Sequence, residues 1–276
     1  MHDYTGQTAL VTGASKGLGE AFARELAARG AHLVLVARSA DALDKLAEQL
    51  RSAYGVRIDV IAADLTDRRS PQVVADTLQE RELTVDLLVN NAGMGAVGPF
   101  LSRPYEPNAR SVDLNVTALM GLVHHIGRSM LARGRGGIIN VSSTAAFQPL
   151  PYQAGYSATK AFVLSFTEAL AEELRGTGVR VMATHPGATD TGFFDGTTAV
   201  MNPKAVAPDR VAARTLDDFA RGRSTSFPGR ASDRVLTLVP RLLPRSLTAR
   251  IAGVYNRRTG HDRVADRHAA PAPQGS

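Results

Sequence analysis

The chain contains no cysteine. That excludes disulfides, thiolate catalysis and thiolate metal sites, and it suits a reducing compartment. No stretch approaches the ~18–20 uninterrupted apolar residues that a spanning helix needs. The N-terminal run from Met1 to Gly13 lacks the basic region and long apolar stretch of a secretory signal. These absences set the expectation of a soluble, cytoplasmic protein. Linkers rich in Gly, Pro or Ser and internal repeats are also missing from residues 1–240. One large α/β domain is therefore favoured over two small ones. The folded part has almost no excess charge of its own: seven Arg and two Asp lie in 241–276, so nearly all of the net +6 belongs to the tail. A nucleic-acid-binding fold gains little support from charge so placed.

What the sequence does contain is an alternation of apolar runs and amphipathic stretches. Thr8–Thr12, His32–Ala37 and residues 57–62, 86–90, 137–141 and 179–185 read as strands. The near-continuous apolar character of His32–Ala37 is that of a strand buried on both faces. Helices are expected over residues 18–28, 40–54, 71–82, 107–133 and 157–175, the second capped by Ser39 with Asp41 in its first turn. Strands alternating with helices imply right-handed crossovers and a doubly wound parallel sheet, with ligands beyond the carboxyl ends of the strands.

The unusual residues fall at those ends. Residues 12–19 (TGASKGLG) join the first strand to the first helix. Glycines there let the chain turn sharply and let amides approach a pyrophosphate, which a helix N-terminus favours electrostatically. The spacing is G-x-x-x-G-x-G rather than G-x-G-x-x-G. At the end of the second strand, beside the expected adenosine ribose, there is no carboxylate for a 2′-hydroxyl but Arg38. Arg38 and Lys16 suit a 2′-phosphate, so NADP(H) is expected over NAD(H).

Tyr156 and Lys160 stand four residues apart, on one face of a helix. A free phenol, with a pKa near ~10, is poorly matched to proton transfer at neutral pH, and a nearby ammonium lowers it. Ser143 follows the strand at 137–141, where its hydroxyl is suited to stabilise charge developing on a substrate oxygen. Asn115 lies inside a helical stretch, where Asn is a poor helix former.

With Asp64, residues 90–93 (NNAG) and Pro186-Gly187, these marks make the chain similar to the short-chain dehydrogenase/reductase superfamily over about residues 6–230. The resemblance implies a Rossmann-type sheet of about seven mainly parallel strands, flanked by helices. It implies a catalytic tetrad of Asn115, Ser143, Tyr156 and Lys160, in which Asn115 distorts its helix and holds a water in a proton relay. It implies cofactor contacts from Gly13, Ser15, Lys16, Gly17, Leu18, Gly19, Arg38, Asp64, Leu65, Asn91, Ala92, Gly93, Tyr156, Lys160, Pro186, Gly187, Thr189 and Thr191. Thr189 stands where Val or Ile is commoner. A homodimer or homotetramer through the helices at 107–133 and 157–175 is implied as well, and no metal is expected.

The small-molecule substrate is expected to meet Met94, residues 145–149 including Phe147, Tyr152, His185 and the segment 192–201, a mainly apolar set. For His185 a hydrogen-bonded strand-end position is favoured over catalysis. Residues 1–233 are expected to form the NADP(H)-binding and catalytic domain, and 234–256 a helical appendage broken at Pro240 and Pro244. Packing of that appendage over the cleft or a neighbouring subunit is favoured over contact with a membrane surface. Residues 257–276 are expected to be disordered. The reading is a carbonyl reductase or alcohol dehydrogenase. A non-catalytic NADP(H)-binding sensor is the alternative, although such a protein usually lacks Tyr or Lys. An epimerase of the longer branch is disfavoured by the glycine spacing.

Overall fold

The computed structural model describes residues 4–191 and 205–264. Its strands are β1 (Thr8–Thr12), β2 (His32–Ala37), β3 (Ile58–Ala62), β4 (Leu87–Asn90), β5 (Gly136–Val141), β6 (Val179–Thr184) and the short β7 (Thr225–Ser226). All pair in parallel in the order β3-β2-β1-β4-β5-β6-β7. The order reverses between β1 and β4, which opens a crevice at the carboxyl ends of the strands there.

Both faces of the sheet are buried, and successive residues serve opposite cores. Ala9 and Val11 of β1, with Leu33 and Leu35 of β2, pack on one side. Leu10, Val34 and Val36 pack on the other. The first side is covered by α1 (Gly17–Ala28), α2 (Ala40–Tyr54) and α7 (Pro208–Ala220), through Phe22, Leu26, Leu43, Leu50, Leu216 and Phe219. The second is covered by α3 (Ser70–Glu80), α5 (Leu119–Ala132) and α6 (Ala154–Glu173), through Val74, Leu122, Ile126, Met130 and Val163. Each fully buried side chain of this size stabilises the fold by roughly 1.5–3 kcal/mol. Ser39 caps α2 as expected, its hydroxyl accepting from the Ala42 amide at 3.4 Å.

The stretch expected as one helix over 107–133 consists of α4 (Glu106–Val112), a wider π-helical turn (Asp113–Ala118) and α5. The turn contains Asn115. Such a turn inserts one extra residue, and here it accompanies an Asn side chain turned inward onto the backbone of Met94.

The C-terminal appendage is larger than expected. Helix α8 (Ala231–Leu242) begins before residue 234 and contains Pro240, so of the two prolines only Pro244 breaks the segment, with Leu243 extended before it. Helix α9 (Arg245–Arg258) follows, then a single turn at His261–Arg263. Residues 257–264, expected to be disordered, are tied to the domain. Arg103 Nη1 donates to the Val264 carbonyl at 2.7 Å, and Gln153 and His261 side chains meet at 3.1 Å. Their order comes from specific polar contacts, which composition does not reveal. Residues 192–201 and 265–276, named above as pocket and tail, lie in or overlap segments outside the described residues.

Candidate active site

The site is built where β1, β4, β5 and β6 end. Thr12, the last residue of β1, accepts at its hydroxyl from the amides of Asn91 (3.0 Å) and Ala92 (2.9 Å). The Asn91 side chain donates back to the Thr12 carbonyl at 2.9 Å. The segment 90–93 is thereby fastened beside the glycine loop. Gly13 and Gly17 have φ of +66° and +59°, a left-handed backbone that side chains rarely adopt. A Cβ on Gly19 would collide with the Gly13 carbonyl oxygen, so only glycine lets α1 start this close to the loop. A Cβ on Gly17 would come within 3.1 Å of Thr191 Cβ, which places the 186–191 segment against the same loop.

Lys16, at the start of α1, and Arg38, just after β2, are both exposed. Asp64 follows β3. Against the opposing effect of its partial burial, hydrogen bonds from the Thr66 amide and hydroxyl and the charges of Arg38 and Arg110 hold its carboxyl below the usual range. Leu65 is buried next to it. Thr189 bridges in parallel to Val206, and its hydroxyl donates to the Gly187 carbonyl at 3.2 Å. A cradle of glycines, two flanking cations and an ionised carboxylate fits the phosphates and the adenosine of a dinucleotide.

Ser143, Tyr156, Lys160 and Asn115 converge beside this cradle. Ser143 and Tyr156 share a side-chain hydrogen bond. Ser143 also caps the following turn by accepting from the Ala145 amide at 3.1 Å. The buried Lys160 donates from Nζ to the Val141 carbonyl at 2.8 Å. Its own carbonyl accepts from the Ser142 hydroxyl at 2.9 Å, so the end of β5 grips α6 at both ends of this residue. The Asn115 amide nitrogen donates to Met94 O (2.8 Å) and Thr159 Oγ1 (2.9 Å), and its oxygen accepts from the Met94 amide (2.9 Å). A Cβ on Gly93 would lie 3.3 Å from Asn115 Oδ1 and 3.4 Å from Lys160 Nζ, so the glycine is the floor between these two groups.

Charge tuning differs from the sequence expectation. Burial raises the Tyr156 phenol above its ordinary value, only partly offset by the Ser143 hydrogen bond. Burial likewise pushes the Lys160 ammonium down to about 8. The ammonium faces the Val141 carbonyl and stands 5.9 Å from the centre of the Tyr156 ring. Desolvation is the larger of the two effects on the phenol in this geometry.

The four expected pocket residues divide. Phe147 and His185 meet edge to face with ring centres 5.0 Å apart, and Phe227 completes the cluster 5.0 Å from His185. Arg241 and Arg234 of α8 lie over the Phe147 and Phe227 rings. Met94 is held through its backbone by Asn115 and Ser111. Tyr152 belongs to a different neighbourhood: it has φ of +68°, its carbonyl accepts from the Gly98 amide, and Arg257 reaches its hydroxyl at 3.3 Å. The hydrogen bond expected for His185 is absent: among the described residues neither ring nitrogen has a partner, and burial pushes its pKa down to about 4. Phe227, Ser142 and Thr159 were not anticipated. A Phe beyond a two-residue strand, a Ser just after β5 and a Thr on α6 carry no sequence signal that separates them from other core positions.

A doubly wound parallel sheet with this cradle and this hydroxyl-lysine cluster defines an oxidoreductase that uses a nicotinamide dinucleotide. The chain belongs to the short chain dehydrogenase family, whose profile matches residues 7–201. Among solved structures it is similar to a short-chain dehydrogenase from Sphingobium yanoikuyae in complex with NADPH, with a TM-score of 0.77, 32% identity and coverage of 96% of this chain and 99% of that one. It is also similar to a bulky-bulky ketone specific alcohol dehydrogenase from Comamonas testosteroni, with a TM-score of 0.74, 32% identity and coverage of 96% and 97%. A Burkholderia phymatum short chain dehydrogenase/reductase in complex with NAD gives a TM-score of 0.79 at 26% identity, over 89% of this chain and 98% of that one.

Proposed function

We propose that the chain is an NADPH-dependent reductase of bulky apolar ketones or aldehydes, with Tyr156 as the acid. The observation that carries this reading is the Ser143–Tyr156 hydrogen bond one helical turn from the buried Lys160. NADPH, when bound, supplies hydride to the carbonyl carbon. Gly13, Ser15, Gly17, Leu18 and Gly19 would hold its pyrophosphate, and Asp64, Leu65, Asn91, Ala92 and Gly93 its adenosine side and the adjoining floor. Pro186, Gly187, Thr189 and Thr191 would hold the carboxamide, and Lys160 the ribose beside it. Lys16 and Arg38 are assigned to the 2′-phosphate. The absence of an acid after β2 and the NADPH-bound relative support this, although another relative carries NAD.

Ser143 positions the carbonyl oxygen, and Tyr156 gives its proton to the emerging alkoxide. The buried phenol is protonated at neutral pH, the form that can donate; its raised value makes it a weak acid, so the transfer relies on the far greater basicity of the emerging alkoxide. Asn115 acts by position: it clamps Met94 to α6 through Thr159 and keeps the π turn open beside Lys160. The aromatic wall of Phe147 and the similarity to a bulky-ketone enzyme support an apolar substrate. Exposed Met120, Phe162 and Val112 on the α4–α6 side support a homo-oligomer through those helices.

Tyr156→Phe tests the assignment. Turnover, followed as NADPH absorbance at ~340 nm with a panel of ketoacyl, steroid and aryl ketones, is expected to drop by ~10²–10⁴ while NADPH binding persists. Normal turnover in the variant refutes it. Tight NADPH binding by the unaltered protein, with no turnover on any carbonyl, supports a sensor instead.

A further inference from the structure

The appendage is built inside out. Helix α8 buries Thr237 and presents Val235, Leu236, Leu238, Val239 and Leu242 to solvent, Leu236 being 63% and Leu242 85% exposed. These five occupy i, i+1, i+3, i+4 and i+7, one continuous stripe of a helix. Helix α9 repeats the inversion. It buries Thr248, Ala252, Gly253 and Asn256 and exposes Leu247, Ile251, Val254 and Tyr255, again at i, i+4, i+7 and i+8. A helix that packs on a domain by its small and polar side leaves its apolar side for something else.

Charge says what that is. Across α8 and α9 the chain has Arg at 234, 241, 245, 250, 257 and 258 and a single acid, Asp233, whose carboxylate accepts from the Arg230 amide and lies against Gly187 and Gly229. Arg234 and Arg241 stand along one edge of the α8 stripe, over the rings of Phe227 and Phe147, while Arg250 and Arg257 flank the α9 stripe. Two copies meeting through this surface would bring together two sets of arginines with no acid to offset them but Asp233, which is engaged with its own domain. An anionic phospholipid surface satisfies both halves of the pattern, taking the apolar stripes into the headgroup boundary and pairing the arginines with phosphates. Among the described residues no helix is long and apolar enough to cross a membrane.

We propose that α8 and α9 form a peripheral docking surface for an anionic lipid bilayer. The surface is the solvent side of α8 and α9, bordered by Arg234 and Arg241 over the pocket rings, and it stands or falls independently of the ketone reading. Full-length protein is floated with phosphatidylcholine vesicles with and without phosphatidylglycerol, at low and raised salt. Binding is expected to the anionic vesicles at low salt, weakened by salt, and reduced at least about tenfold in L242E/I251E. In Arg250→Glu/Arg258→Glu the preference for anionic over neutral vesicles is expected to vanish. Circular dichroism and NADPH oxidation with a water-soluble ketone are expected to be unchanged in both variants, whose altered side chains are all exposed. Equal binding to neutral vesicles, or binding that survives both variants, overturns the proposal. So does self-association in sedimentation velocity that L242E/I251E abolishes, with no vesicle binding by the parent: the occupant is then a second copy.

Discussion

Replacing His185 with Leu isolates a buried base from its surroundings at nearly constant volume. The imidazole is 1% exposed between Phe147 and Phe227, and neither nitrogen is hydrogen-bonded among the described residues. Burial brings its pKa from 6.5 to about 4. The unfolded chain therefore binds a proton that the native ring refuses. Stability from this group is full above about pH 6.5 and falls as pH drops toward 4. The whole gap corresponds to about 3 kcal/mol, and about 2 kcal/mol of it is already lost at pH 5.

At pH 7 the substitution relieves two unpaired nitrogens, worth roughly 1–3 kcal/mol, and forfeits two aromatic contacts worth roughly 0.5–1.5 kcal/mol each. The two proteins should then be within about 2 kcal/mol of each other at that pH. Urea unfolding at pH 7 and pH 5 gives four values. The parent is expected to lose about 2 kcal/mol more than His185→Leu on acidification. An equal loss in both proteins would mean that the ring titrates normally and that its buried, unpaired state is wrong.

Arg38→Asp is expected to move the kcat/KM preference from NADPH toward NADH by more than tenfold; unchanged selectivity removes Arg38 from the 2′-phosphate site. Asn115→Ala leaves the Met94 amide without its acceptor and should cost roughly 1–3 kcal/mol in urea unfolding, together with a fall in kcat. A stable, fully active variant would show that the clamp is dispensable. Gly19→Ala places a methyl on the Gly13 carbonyl and should weaken NADPH binding in fluorescence titration well before it affects secondary structure. Unaltered affinity counts against the tightness of that loop.

The central strands were legible because each is buried on two faces, and continuous apolar runs are the trace of that burial. Thr8–Thr12 and His32–Ala37 match residue for residue. Strand β7 has two residues, too few for any period to register. That Asn115, Ser143, Tyr156 and Lys160 come together could be read because they stand at the ends or on the faces of elements whose order the sequence pattern already shows. The direction of the Tyr156 shift could not, since it depends on how completely α6 and β5 exclude water. Tyr152 and His185 look alike as polar residues near strand ends. Only the fold turns one toward Arg257 and encloses the other between two rings. Pro240 is accommodated inside α8, whereas Leu243 is extended before Pro244, a difference that the two prolines do not show in the sequence.

Asn90 and Asn140 lie side by side in the β4–β5 register, and the first donates to the second at 3.0 Å. Asn140 passes a hydrogen bond on to Thr167 of α6, also at 3.0 Å. A slip of one residue would set Asn90 beside an aliphatic neighbour and strand two amides in a dry interior, on top of inverting both faces of the strand. The chain of amides thus works as an alignment pin through sheet and helix. Asn91 leaves one side of it, Ser143 lies three residues beyond the other, and Lys160 stands two turns before its end. Their mutual spacing is inherited from a register that the interior permits in only one setting, so the tolerance of the reaction centre is fixed before any ligand arrives.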